Sequence, residues 1–514
     1  MVTLLREPAR PAVIREHPLA PWFAVAAVCL GAFMGQLDAS VVTVAFPALQ
    51  RQFHTGLAGT QWVSLGYLLV LTALLVPAGR WSDRAGRKLL YLYGFVLFAA
   101  TSAACGLASS LAMLIALRVA QACGAALLQA NSVALVVTSV PARNRRAALG
   151  VQAAAQAVGL ASGPVIGGVV VAAAGWRWVF FLNVPVGLLA VVAGWYLLPR
   201  TRSAAADSAA VSATAGDGGA GRGGFRDHAA GHGALARHGI GPHAGSRPAV
   251  GGPDGADLGG MGLLAASASA GMLAISSLSG LALPAWAVAA CVACAFLAGA
   301  ALVRRERRVA APLLDLRALA ASGTAPALGG ALCSYLVLFG PLVLFPQVVS
   351  ARGGSPATAG LLLTALPAGF GLAAALADRL LPARWANPRR CALGGALAAA
   401  AAAALAVPAP AAVTVALLGA LGAGLGLYTP ANNAEIMAAL PARDAAAAGG
   451  MVNMTRGIGT ALGVAVVTLG LHAGERLRWQ DAGLTLSMAA LAAVALAAVW
   501  CGLRGARAVP GAVR

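Results

Sequence analysis

Apolar residues along this chain come in long unbroken runs. Many reach the roughly 20 residues that an α-helix, rising about 1.5 Å per residue, needs to cross a bilayer. The runs predict helical spans at 22–49, 61–79, 88–109, 111–138, 147–174 and 178–198. After a long polar stretch they resume at 258–280, 283–303, 323–349, 358–380, 391–408, 411–439, 445–472 and 482–503, fourteen spans in all. The weakest are the Ala-rich run beginning at Cys391 and the pair separated only around Leu281.

Composition agrees with that pattern. Of the 514 residues 60% are hydrophobic and 10% charged, against about 25% charged in soluble domains. A chain of this composition needs a bilayer as solvent. The formal net charge of +20 raises the possibility of nucleic-acid binding, but the placement of the charges points elsewhere. With the N-terminus inside, one side of the membrane receives clusters such as Arg80, Arg84, Arg87 and Lys88, then Arg143, Arg145 and Arg146, and later Arg304, Arg305, Arg307 and Arg308. The other side receives only Arg51, Arg177, Arg352, Arg476 and Arg478. That is the positive-inside asymmetry of a multi-span protein with both termini cytoplasmic. It makes a nucleic-acid partner unnecessary.

Several chemistries are excluded or disfavoured. Lys88 is the single lysine and is followed by Leu89, so the Gly-Lys-Ser/Thr of a phosphate-binding P-loop is missing. The eight cysteines all lie in or beside apolar runs, which is not a disulfide framework. Cys291 and Cys294 form a CxxC inside an apolar helix and read as packing residues. Arg6, Arg10 and Arg15 precede a first run too long for a signal-peptide core. No His/Glu pair or Ser-His arrangement within the spans suggests an enzyme. The stretch 199–257, rich in Gly, Ala, Ser and Arg, reads as a disordered cytoplasmic linker. Its histidines, His228, His232, His238 and His243, have nothing to preorganise them as metal ligands.

The linker leaves six spans before it and eight after. A 6+2+6 arrangement makes two matching bundles: 1–198 first, then two extra helices over 258–310, and a second bundle over 311–514. Gln156 precedes Gly159 and Gly163 at the same offsets at which Arg456 precedes Gly459 and Gly463. Parallel repeats of this kind place a substrate site between the halves, near the midplane.

Asp38 is the only acid deep within a span. A carboxylate there costs at least about 2.5 kcal/mol on insertion scales, so it calls for a function. It can take up a proton from one side and release it to the other. Arg118 is the natural partner: by helical rise Asp38 lies about 16 Å, and Arg118 about 10 Å, from the same face of the membrane. Arg118, Gln121, Ala125, Gln129 and Ser132 form a narrow stripe along one helix. Gly159, Gly163 and Gly167, with Gly168 beside them, give another helix a smooth face, and Pro164 invites a bend. Gly79-Arg-Trp-Ser-Asp83-Arg84-Ala-Gly86-Arg87-Lys88 reads as a tight charged loop between the second and third spans.

Together these stretches resemble the major facilitator superfamily, specifically its fourteen-helix drug:proton antiporters, over nearly the whole chain outside 199–257. Gly79, Asp83, Arg84, Gly86, Arg87 and Lys88 resemble the helix 2–3 loop motif, which in the family latches the cytoplasmic gate. Leu114-x3-Arg118-x2-Gln121-x2-Gly124 resembles the helix 4 motif, whose arginine is implicated in proton coupling; Ala122 stands where glycine is usual. Gly159 to Gly168 resembles the antiporter motif of helix 5. Leu37-Asp38 to Pro47 resembles the helix 1 motif, Trp176 to Gly187 the signature leading into helix 6, and Pro312 to Arg317 the segment before helix 9. The corresponding loop from Asp378 to Arg390 lacks the glycine and carries Pro382 and Pro388.

The resemblance implies an all-α polytopic membrane protein of major-facilitator type, with two six-helix bundles around a central cavity. It implies a plasma-membrane antiporter that exports small amphiphiles such as drugs or antibiotics, driven by a proton gradient and without a cofactor, and expected to be a monomer. Asp38 is the expected protonation site and Arg118 its electrostatic tuner. Polarity within the spans offers Gln36, Gln121, Gln129, Gln156, Tyr335, Gln347, Tyr428, Asn433, Asn453 and Arg456 for the substrate cavity. With one deep acid, a neutral, zwitterionic or monocationic substrate is expected. The alternative is a lipid or metabolite carrier that uses no protons.

Overall fold

The computed structural model describes residues 10–201, 258–278, 283–309, 324–382, 385–438, 445–477 and 481–505. The linker expectation for 199–257 therefore lies almost wholly outside the described residues. So do the side chains of Asp83, Arg84 and Asp378.

The described residues form fourteen long helices. The first six are α1 (Ala20–Phe53), α2 (Trp62–Ala85), α3 (Arg87–Gly106), α4 (Leu111–Ser139), α5 (Arg145–Ala174) and α6 (Asn183–Leu197). A pair follows, α7 (Leu258–Leu278) and α8 (Ala285–Glu306). The last six are α9 (Ala325–Ala351), α10 (Pro356–Leu363 and Ala365–Leu380, broken at Thr364), α11 (Asn387–Leu405), α12 (Ala411–Ala438), α13 (Ala445–Leu477) and α14 (Ala482–Gly505).

Twelve of these elements are long and apolar enough to cross a membrane by length and composition. The two of the fourteen that fall short are α7 and α11, the places where the sequence signal was weakest. The apolar part of α7 covers only Gly262–Ile275. In α11 alanine dominates, and Arg389 and Arg390 occupy the first turn; a methyl group buries little apolar area, so the run is helical yet weakly hydrophobic.

Local chemistry explains several boundaries. Ser110 caps α4 by accepting from the Met113 amide at 3.2 Å, and Ser355 caps α10 by accepting from Thr358 at 3.1 Å. Both satisfy amides that a helix start leaves open. The expected loop from Gly79 to Lys88 is corrected: α2 continues through Ala85, and only Gly86, at φ +105°, separates it from α3. No breaker stands between Gly79 and Ala85, so the helix extends past its apolar part. Gly86 is needed because that backbone conformation suits few side chains.

The two halves repeat one another. In the first, α1 packs on α5, and α3 on α4; in the second, α9 packs on α13, and α11 on α12. Gly94 meets Gly124 at the α3–α4 crossing as Gly394 meets Gly424 at the α11–α12 crossing. Gly159 lies against the Phe33 backbone and Gly459 against that of Leu332. The extra pair stands apart: α7 packs on α8 and touches α2 and α13. Trp286, Phe296 and Leu297 of α8 are 75%, 76% and 71% exposed. A soluble surface would not carry such a face; hydrocarbon accommodates it.

Candidate functional site: a buried ion pair beside a central cavity

Asp38 of α1 and Arg118 of α4 meet in the interior of the first bundle. Arg118 Nη1 donates to Asp38 Oδ2 at 2.7 Å, and Arg118 and Asp38 are 1% and 0% exposed. The same nitrogen donates to Gln121 Oε1 at 2.6 Å, and Gln121 Nε2 reaches Asp38 Oδ1 at 3.3 Å. Asn183 Nδ2, at the start of α6, donates to Asp38 Oδ1 at 2.8 Å and to Ser102 Oγ of α3 at 3.0 Å. Ser102 in turn donates to the Phe180 carbonyl at 2.9 Å. A buried carboxylate is tolerated only when paired and hydrogen-bonded, and here three side chains supply donors.

Arg118 is fixed on its other side as well. Its Nε donates to the Val63 carbonyl of α2 at 3.1 Å, and its guanidinium lies 4.1 Å from the centroid of the Tyr67 ring. Stacking of this kind holds a cation while leaving its hydrogen bonds free. The pair thus joins α1, α2, α4 and α6.

A cavity of about 230 Å³ opens between the halves. From the first half it is lined by Gln36, Gln129, Gln152, Gln156, Thr72 and Tyr67, and from the second by Tyr335, Phe339, Asn453, Arg456 and Thr460, among others. A recess of about 10 Å³, walled by Thr43, Ser64, Tyr67, Arg118 and Thr460, shares residues with that cavity and touches the ion pair. Tyr67 lines both spaces. Its hydroxyl and that of Ser64 are buried with no hydrogen-bond partner.

Of the residues picked out for the cavity by polarity, Gln36, Gln129, Gln156, Tyr335, Asn453 and Arg456 are on its wall. Four are elsewhere, and the expectation for them is corrected. Gln121 turns toward Asp38. Tyr428 is fully buried and donates to the Ala498 carbonyl at 2.9 Å. Gln347 and Asn433 do not line the cavity, and each keeps one buried side-chain atom without a partner, Nε2 and Oδ1 respectively. Polarity within a span marks side chains that avoid lipid, and a helix–helix contact satisfies that as well as a cavity does.

The glycine stretch of α5 lies beside the ion pair. A β-carbon at Gly163 would run into Ser40 Oγ, two residues from Asp38, and one at Gly167 into Val41. The opposite face of α5 meets the second half: the Pro164 carbonyl and Gly168 abut Gly360 of α10. Close backbone approach of this kind needs small residues. Among the gate-loop residues, Lys88 is buried and its Nζ donates to the Trp195 and Leu198 carbonyls at 2.9 and 2.7 Å, satisfying the C-terminal end of α6. Gly79 lies within α2.

Asn183 and Ser102 carry the pair's outer shell. Asn183 was visible in the sequence only as part of the segment leading into α6, and Ser102 had no signal beyond a hydroxyl in an apolar run.

The chain's likeness to known proteins agrees with this architecture. Among solved structures, a bacterial homolog of the human lysosomal transporter Spinster, in an inward-facing conformation, superposes with a TM-score of 0.62 at 15% identity, covering 96% of this chain and 98% of that one. The peptide transporter POT gives 0.63 at 13% identity over 99% of both chains. At such identities the likeness concerns the fold alone. The drug efflux pump JefA of Mycobacterium tuberculosis is 30% identical over 86% of this chain and 78% of its own length. The methylenomycin A resistance protein of Streptomyces coelicolor is 29% identical over 87% and 85%. The tetracenomycin C resistance and export protein of Streptomyces glaucescens is 41% identical, but the match spans 36% of this chain and only 34% of that protein. The family model described as Major Facilitator Superfamily matches residues 28–240 and 257–464. The chain is a multi-pass membrane protein and belongs to the major facilitator superfamily.

Proposed function

We propose that this transporter is a proton-coupled antiporter that exports small amphiphilic molecules by alternating access. The observation that carries the reading is the buried Asp38–Arg118 pair, set against a recess that shares its walls with the central cavity. Asp38 is the proton carrier. In its charged form it holds Arg118 by Coulomb attraction and a charge-assisted hydrogen bond. Protonation removes that attraction, while Arg118 stays anchored to Val63 and Tyr67 on α2. The grip of α1 on α4 then loosens, and α1 carries Ser40, against which α5 packs.

α5 is the natural lever because its other face meets Gly360 in the second half. A change of packing on the α1 side is passed to the contact between halves, which alternating access must break and remake. Proton entry and substrate exit then use opposite states of one structure. The names borne by the drug efflux pump JefA and the tetracenomycin C resistance and export protein support export as the direction. The arginine-rich loops support cytoplasmic termini in the plasma membrane. No cofactor is called for: the gradient supplies the energy.

The test is collapse of a pH gradient in inside-out vesicles on adding a panel of amphiphilic antibiotics and dyes. Wild type should dissipate the gradient and Asp38→Asn should not. Substrate flux in wild type that is indifferent to the gradient would replace this reading with a proton-independent carrier.

A further inference from the structure

Arg456 is the only charged residue on the wall of the central cavity, and no carboxylate lines it among the described residues. We infer that the cavity accepts an organic anion carrying an aromatic or planar apolar body, with Arg456 as charge partner and Tyr335 as stacking surface. This deepens the exporter reading of the same cavity and rests on it.

The geometry of Arg456 supports the assignment. Its guanidinium lies 4.9 Å from the centroid of the Tyr335 ring, and Tyr335 stacks with Phe339, ring centroids 6.5 Å apart and planes 20° from parallel. Its one hydrogen bond is long, from Nη1 to Asn453 Oδ1 at 3.4 Å, and its Nε is buried with no partner. A guanidinium has five N–H donors and no acceptor, so most of its capacity is unspent. The side chain is half-buried on the cavity wall with no carboxylate beside it there, and a partly desolvated charge without a counter-ion is costly. A carboxylate or phenolate in the cavity would satisfy it with a planar, bidentate contact while its ring lies along the aromatic shelf.

Asp38 does not compete for this cation. It is absent from the cavity wall and already held by Arg118, Gln121 and Asn183. The number of acids within the spans points to a neutral, zwitterionic or monocationic substrate, whereas the charge that faces the cavity is Arg456. A cationic amphiphile would meet Arg456 with no neutralising partner, which selects against it.

The experiment measures binding, not coupled transport. Purified protein in nanodiscs is titrated at pH 7 with three probes sharing one ring system: 9-anthracenecarboxylate, 9-anthracenecarboxamide and 9-(aminomethyl)anthracene. Wild type should bind the carboxylate about tenfold or more tightly than the carboxamide, as expected for a charge-assisted hydrogen bond. The protonated amine should bind weakest. Arg456→Gln should erase the carboxylate preference while leaving carboxamide binding within about twofold, which also reports a folded cavity; Arg456→Lys should keep part of the preference. Equal affinity for acid and amide in wild type, absence of acid binding, or preference for the amine would overturn the inference. So would a preference that survives in Arg456→Gln. Carboxylate selectivity without pH-gradient collapse would leave the inference standing and remove only proton coupling.

Discussion

Asn183 donates its side-chain amide to Asp38 Oδ1 at 2.8 Å, bringing the first turn of α6 onto the single deep carboxylate of α1. This contact makes the outer shell of the ion pair as testable as the pair itself. In Asn183→Ala, Oδ1 keeps only the 3.3 Å donor from Gln121. Under-satisfying a buried charged acceptor costs about 1–3 kcal/mol. We expect a corresponding loss in thermal unfolding of purified protein, together with a shifted pH dependence of efflux. Stability and pH profile both matching wild type would show that the contact is incidental.

Asp38→Asn removes the counter-charge of a fully buried arginine. Breaking one side of such a pair costs about 3–5 kcal/mol. The double variant Asp38→Asn/Arg118→Gln removes both charges and should regain much of that stability. Coupled transport should remain absent in both variants, since the double variant restores packing and not the proton carrier. Double-mutant analysis of unfolding and of vesicle pH-gradient collapse separates the two roles.

Tyr67→Phe retains the ring stacked on Arg118 and deletes a hydroxyl that has no partner. Stability should stay within about 0.5 kcal/mol of wild type, because no buried hydrogen bond is lost. Tyr67→Leu removes the stacking, worth about 0.5–2 kcal/mol when desolvated, and should weaken coupling. If the two variants behave alike, the ring is not what holds Arg118.

Gly163→Ala places a β-carbon against Ser40 Oγ, and Gly360→Ala places one against the Pro164 carbonyl. Each should cost about 1–3 kcal/mol, as overpacking does, and slow transport. Gly150→Ala is the control on the same helix: a β-carbon there meets nothing within 4 Å. By helix propensity it should stabilise by up to about 1 kcal/mol. Slowed transport in Gly150→Ala as well would mean that α5 responds to helix stiffness and not to its contacts with α1 and α10.

Much of this architecture is legible in the chain because membrane spans are written locally. A run of apolar residues specifies a helix by itself, since hydrocarbon leaves backbone groups no partner outside the helix. Asp38 and Arg118 are legible in the same way, because charges inside such runs are rare. At Gly79–Ala85 charge does not mark a loop, because nothing there stops a helix. Nor does polarity put Tyr428 on the cavity, since its hydroxyl meets a neighbouring helix. In a span, polarity says that a side chain avoids lipid and does not say what it meets.

By itself, then, the sequence determined the helical spans, the repeat linking Gln156 to Arg456, and the deep acid with its cationic partner. All are properties of a residue and its immediate neighbours along the helix. Only the tertiary structure decided that Asn183 and Ser102 complete the shell around Asp38. It alone placed Ser40 and Gly360 against opposite faces of α5, and left Arg456 as the one charge on the cavity wall among the described residues. Those facts depend on the rotation of each helix about its own axis and on which helices become neighbours. Both are set by side-chain packing between segments far apart in the chain.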